Sequence, residues 1–174
     1  MPDSHIVYII GFMGSGKSTA GKKLASLLGW SFIDLDKRIE GHAGKTISEI
    51  FSQYGENYFR NLEAEVLKSL KSQKNTVIST GGGTPCHGDN MDHMLETGLT
   101  LYLKLTPGQL KSRLSESTGE RPLIKDLSND GLLSFIDEKL AWREKCYNRA
   151  KITVEGINLD INLLHSLVKA NMDI

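Results

Sequence analysis

The stretch "GFMGSGKST", residues 11–19, decides the fold. It follows an apolar run, "HIVYII" (5–10), and precedes an amphipathic one, "AGKKLASLLG" (20–29). Three glycines and a lysine at the hinge between a strand and a helix make physical sense if the hinge wraps an anion. Glycine accepts φ > 0 and carries no Cβ to block a close approach. The spacing of Gly11, Gly16, Lys17 and Ser18 fits G-x-x-x-x-G-K-[ST], a phosphate-binding loop. A helix opening at Lys17 points free N–H groups and its positive end at the phosphate. Lys17 adds a point charge for the β- and γ-phosphates, and the Ser18 hydroxyl is a ligand for Mg²⁺. The expected nucleotide-phosphate site is therefore Gly14, Ser15, Gly16, Lys17, Ser18 and Thr19. The competing reading, a plain glycine-rich turn, does not account for the strand before it and the helix after it.

The 174 residues fit one domain, 1–174, with enough chain to bury a good core. Basic and acidic residues balance at 21 each, so attraction for anions must be local; a nucleic-acid or membrane partner is not expected. Cys86 and Cys146 lack C-x-x-C spacing and read as free thiols in a reducing compartment. No charged-then-apolar leader opens the sequence, and no apolar run approaches the ~20 residues of a membrane helix, so a cytoplasmic protein is expected.

Apolar runs and helical periods alternate along the chain. Strands are predicted at 5–10, 31–35, 76–80, 99–105 and 151–155, and helices at 17–28, 35–43, 47–54, 56–73, 89–97, 107–117, 130–149 and 159–171. Thr106-Pro107 reads as an N-cap and first-turn pair, and Gly29 and Gly98 as helix stops. This alternation implies a parallel sheet with helices on both faces and ligands at the carboxyl ends of the strands. The polar stretch 117–131, with glycines near both ends, reads as a flap.

Three constellations follow predicted strands. Asp34 and Asp36 in "DLD" are two residues apart, so on an extended segment they share a face. One carboxylate can hold Mg²⁺ through its waters and the other can take a hydroxyl proton, or Asp36 simply caps the helix that follows. Arg60 and Glu63 in "FRNLE" share a helix face, either as a surface ion pair or as a braced guanidinium that takes a carboxylate bidentately. Gly81, Gly82 and Gly83 in "STGGGTP" form either a chain reversal or a loop offering its N–H groups to a small polar ligand. His87 and His93 do not have the spacing of a metal pair.

Taken in order, "GFMGSGKSTAGKKLA", "FIDLD", "FRNLEAEVL", "VISTGGG", "ERPLI" and "WREKCY" resemble the shikimate kinase family over about residues 6–154. The resemblance implies a P-loop NTPase fold, three layers α/β/α, with a five-stranded parallel sheet of order 2-3-1-4-5 and a lid at about 117–131. It implies an ATP-dependent kinase acting on the 3-hydroxyl of shikimate, with ATP and Mg²⁺ as cofactors, in the route to aromatic amino acids. Carried residue by residue, Lys17 and Ser18 handle phosphates and Mg²⁺, with Asp34 behind the metal. Asp36 faces the shikimate hydroxyls, Arg60 and Arg143 its carboxylate, and Gly81, Gly82 and Gly83 its ring. Arg121 is the lid arginine and Arg113 the adenine-side arginine; a monomer is expected. Only six residues of this chain are arginines, and four of them are Arg60, Arg113, Arg121 and Arg143.

Two departures stand out. The chain reads "REKCY" where R-x-P-L-Y is frequent, and "VEGINLD" where a proline often faces adenine, leaving Ile157 or Asn158 for that wall. Rival readings are another small-metabolite kinase, acting on gluconate or a nucleoside monophosphate, and a nucleotide switch. The switch would need N-K-x-D and D-x-x-G motifs, and the sequence has neither.

Overall fold

The structure, a computed structural model, describes residues 5–116 and 127–174. The strands are β1 (Ile6–Ile10), β2 (Ser31–Asp34), β3 (Thr76–Ser79), β4 (Leu99–Lys104) and β5 (Ile152–Glu155). All pair in parallel, in the order β2-β3-β1-β4-β5. The helices are α1 (Lys17–Leu28), α2 (Leu35–Ala43), α3 (Ile47–Ser69), α4 (Asn90–Thr97), α5 (Pro107–Glu116), α6 (Asn129–Tyr147) and α7 (Ile161–Met172). Both the parallel sheet and its order match the sequence reading.

The fully buried strand β1 sends alternate side chains to opposite faces, as the two-residue period requires. Ile6, Tyr8 and Ile10 join a core with residues of α2 to α6, while Val7 and Ile9 join a second core with Ala20, Leu24 and Ala25 of α1 and Leu164 and Val168 of α7. These are the three layers. Each such fully buried aliphatic contributes roughly 1.5–3 kcal/mol relative to exposure.

Boundaries differ from the prediction where capping decides them. Asp34, the last residue of β2, caps α2 by accepting from the Lys37 amide at 3.2 Å, so the strand stops before Leu35 and Asp36 falls inside the first turn. The capping alternative raised for Asp36 therefore belongs to Asp34. Asp160 caps α7 and delays its start to Ile161. The two helices expected at 47–54 and 56–73 are halves of α3, kinked at Gly55 (φ 82°, ψ 175°), and the second half ends at Ser69 in a 3₁₀ turn, Leu70–Ser72. A further 3₁₀ turn, Thr84–Cys86, was not predicted. Gly29 stops α1 in the left-handed region, whereas Gly98 is extended; a Cβ there would stand 2.5 Å from the Ile6 carbonyl oxygen. Thr106 caps α5 as expected, accepting from the Gln109 amide while Gln109 reaches back. Of the flap, 117–126 lies outside the described residues, and its predicted end at 129–131 is already the first turn of α6.

The order of the strands brings the constellations together. β2, β3 and β1 are neighbours, with Asp34 in register with Ser79 and Ser79 with Ile9. The phosphate loop, the DLD segment and the glycine run thus leave one edge of the sheet side by side.

Candidate functional site

The phosphate loop adopts the backbone its glycines allow. Gly14 (φ 79°) and Gly16 (φ 92°) are left-handed, and Gly16 caps α1 without a side chain, leaving the first helical N–H groups facing outward. Lys17 is largely buried, and its Nζ donates to the Phe12 carbonyl at 2.9 Å, which folds the side chain back over the loop. Ser18 Oγ donates to Asp34 Oδ2 at 2.9 Å and stands 3.1 Å from Ser79 Oγ. Arg113 donates to the Ser15 carbonyl at 3.0 Å and to the Gly156 carbonyl at 3.2 Å, tying the phosphate loop to the segment after β5.

Gly14, Gly16, Lys17, Ser18, Thr19, Asp34, Asp36 and Arg113 line a cavity of about 370 Å³. Ser15 does not; it is buried, with its Oγ lacking a hydrogen-bond partner among the described residues. Ile157 packs against the core beside Gly156, where a Cβ would stand 2.2 Å from Leu105 Cδ1.

A second cavity, about 550 Å³, opens on the other side of Asp36. Asp36, Arg60, Glu63, Gly81, Gly82, Gly83 and Arg143 line it, together with Met13, Lys37, Thr46, Phe51 and Phe59. The two cavities share Met13, Asp34, Asp36, Gly81 and Gly82 as a common wall.

Arg60, Glu63 and Arg143 each have a structural reason for their position in the second cavity. Arg60 Nη1 donates to Glu63 Oε1 at 2.8 Å, and Glu63 is 1 % exposed. This is the braced arginine, not the surface pair. Arg143 is 5 % exposed and lies over the Phe12 ring, 5.3 Å from its centroid. Its Nε and Nη1 are buried without a hydrogen-bond partner among the described residues. A guanidinium held out of water in this way is unfavourable unless an anion completes it.

The three glycines make room for those side chains. A Cβ on Gly83 would stand 2.6 Å from Arg60 Nη2, one on Gly82 would stand 3.2 Å from Arg143 Nη1, and one on Gly81 would stand 3.0 Å from Asp36 Oδ1. Tyr147 Oη donates to the Gly82 carbonyl and anchors the loop to α6. None of the three has positive φ.

Asp36 is half-buried between the cavities. Burial, then the neighbouring carboxylates of Asp34 and Glu63, push its carboxyl up to about 6, with Lys17 opposing. Cys86 and Cys146 are free thiols, and burial beside Cys146 pushes the Cys86 thiol well above its ordinary range. Arg121 falls in 117–126, outside the described residues. Among the described residues, no cluster of three or more His, Cys, Asp or Glu could hold a metal, and no helix is long and apolar enough to cross a membrane.

The site thus comprises a glycine-rich loop at a helix start, a shared carboxylate wall and a pocket lined by two arginines. Comparison with known proteins gives a consistent result. A family model described as shikimate kinase matches residues 13–166. A shikimate kinase of Parabacteroides distasonis is 44% identical over 150 residues, which is 86% of this chain and 87% of that protein. The crystal structure of a shikimate kinase from Bacteroides thetaiotaomicron superposes with a TM-score of 0.90 at 35% identity, over 98% of this chain and 99% of that one. A shikimate kinase from Acinetobacter baumannii, solved in complex with shikimate, gives a TM-score of 0.84 at 32% identity, over 98% of this chain and 94% of that one.

Proposed function

The chain belongs to the shikimate kinase family, and on that premise we propose a division of labour between its two cavities. The reaction is transfer of the γ-phosphoryl of ATP to the 3-hydroxyl of shikimate, a step towards chorismate and the aromatic amino acids. ATP phosphates occupy the cavity of the phosphate loop, and shikimate occupies the cavity of Arg60 and Arg143. The observation that carries this division is the shared wall at Asp36: only there does a group bound in one cavity meet a group bound in the other.

In this reading Lys17 leaves the Phe12 carbonyl for the β- and γ-phosphates and carries charge into the transition state. Arg60 and Arg143 clamp the shikimate carboxylate, which turns the ring so that one hydroxyl faces Asp36. Asp36 orients that hydroxyl and accepts its proton; phosphoryl transfer depends mainly on such positioning. Arg113 holds the phosphate loop from the nucleotide side. Ser18, Asp34 and Ser79 present hard oxygens within one hydrogen-bonded cluster, a donor set that suits Mg²⁺ with phosphate and water completing its shell. Ser18 would hold the ion directly and Asp34 through water; bound there, Mg²⁺ neutralises charge on the transferring phosphates. The two free thiols support a cytoplasmic enzyme.

The test is a substrate panel at fixed Mg-ATP. Shikimate alone among shikimate, gluconate and nucleoside monophosphates is expected to drive ADP release. Equal or faster turnover with gluconate would overturn the reading.

Asp36 gives a second expectation with opposite signs for activity and stability. Its folded-state carboxyl lies above the ordinary carboxylate range, so the folded protein binds this proton more tightly than the unfolded chain. The resulting stability is present at low pH and is lost as pH rises through about 6; above that, the ionised group costs the fold energy. Asp36→Asn at pH 8 is therefore expected to raise the melting temperature by a few degrees while lowering kcat by ~10²-fold. In the wild type, kcat/KM for shikimate should fall as pH drops through about 6, and this limb should vanish in the variant. A lowered melting temperature with unchanged kcat would make Asp36 a structural residue.

A further inference from the structure

Thr84 closes the glycine run with no role of its own in the sequence reading and Asn90 lies outside every constellation, yet both residues are fully buried. Thr84 Oγ1 donates to Glu63 Oε2 at 2.7 Å, and Asn90 Nδ2, at the start of α4, donates to the Thr84 carbonyl at 2.9 Å. The other oxygen of Glu63 receives Arg60 Nη1 at 2.8 Å. Gly81 makes this approach possible, since a Cβ there would stand 3.0 Å from Thr84 Oγ1.

We propose that Thr84, held by Asn90, is a positioning residue for shikimate: its hydroxyl fixes Glu63, and Glu63 aims Arg60 into the substrate cavity. A buried carboxylate with a donor on each oxygen is held in one rotamer. Arg60 has a competing partner in the exposed carboxylate of Glu56, 3.5 Å from its Nε. With Thr84 Oγ1 gone, Glu63 is free to turn, and Arg60 drifts towards Glu56 and water. The fork is then no longer pre-set for the substrate carboxylate, and binding must supply that ordering.

This inference rests on the assignment of Arg60 to the shikimate carboxylate, so the experiment includes Arg60→Ala beside Thr84→Val and Thr84→Ser. Thr84→Val keeps the shape and removes the donor. It is expected to raise KM for shikimate about tenfold, the scale of one hydrogen bond to a charged group, with kcat and the KM for ATP within about twofold of wild type. Thr84→Ser should restore the wild-type KM. A wild-type shikimate KM in folded Thr84→Val would overturn the proposal. So would a rise that serine does not reverse, or a rise shared equally by ATP. If Thr84→Val does not fold, Asn90→Ser carries the same expectation and the same refutation. Should Arg60→Ala leave shikimate KM unchanged, the carboxylate assignment fails; should only Thr84→Val and Asn90→Ser leave it unchanged, the positioning role fails alone.

Discussion

A Lys17→Met protein with the wild-type fold is expected to turn over ~10²–10³-fold more slowly at saturating ATP and shikimate, the loss typical of one preorganised donor aimed at developing charge. Lys17 is the residue whose side chain the loop itself prepares. Its amine is held at 2.9 Å from the Phe12 carbonyl, inside the cavity that Gly14, Gly16 and Ser18 also line. A phosphate entering there draws Lys17 from the Phe12 carbonyl and meets a cation already in the cavity and largely shielded from water, where its field is less screened. Methionine preserves the length and apolar stem, so the loop loses charge without losing packing. Steady-state kinetics with an ADP-coupled assay checks the result. Turnover within a few-fold of wild type would remove Lys17 from the chemistry.

The second large effect concerns Arg143. Truncating one member of a buried, hydrogen-bonded charge pair typically costs about 2–5 kcal/mol, so Arg143→Ala is expected to weaken shikimate binding by ~10²–10³-fold. Among the described residues its Nε and Nη1 have no hydrogen-bond partner, so this arginine does not hold those parts of the fold together through them. The melting temperature of Arg143→Ala should therefore hold steady or rise, because an unpaired buried guanidinium has been removed. ATP affinity should not change, since Arg143 lines only the substrate cavity. Calorimetry with each ligand separates the cases. A large fall in melting temperature with shikimate affinity intact would make Arg143 a core residue.

The parts of this site that the sequence made legible are those encoded locally. The phosphate loop is nine consecutive residues whose glycines and lysine have one shared purpose, and the strand and helix around it follow from periodicity. The pairing of Arg60 with Glu63 follows from helical spacing, although only the fold shows it buried. The glycine run stands out in the sequence for a different physical reason. Its N–H groups and conformational freedom are what the sequence offers, whereas the structure uses the missing side chains as room for Arg60, Arg143 and Asp36, which come from three other elements. That reason depends on α2, α3 and α6 converging, which no local pattern encodes. The same holds for Lys37, Thr46 and Phe59 in the cavity wall, and for Thr84 and Tyr147 behind it. The roles of Asp34 and Asp36 were separable only once the cap was seen, because either carboxylate fits that position by sequence alone.

The most direct test of the two-cavity account is a crystal structure with shikimate and a non-hydrolysable ATP analogue bound together. The account predicts the shikimate carboxylate within hydrogen-bonding distance of both Arg60 and Arg143, its 3-hydroxyl against Asp36, and the γ-phosphate beside Lys17 on the other side of that wall. A carboxylate seated away from the arginines, with Arg143 Nε and Nη1 still unpartnered, would contradict it.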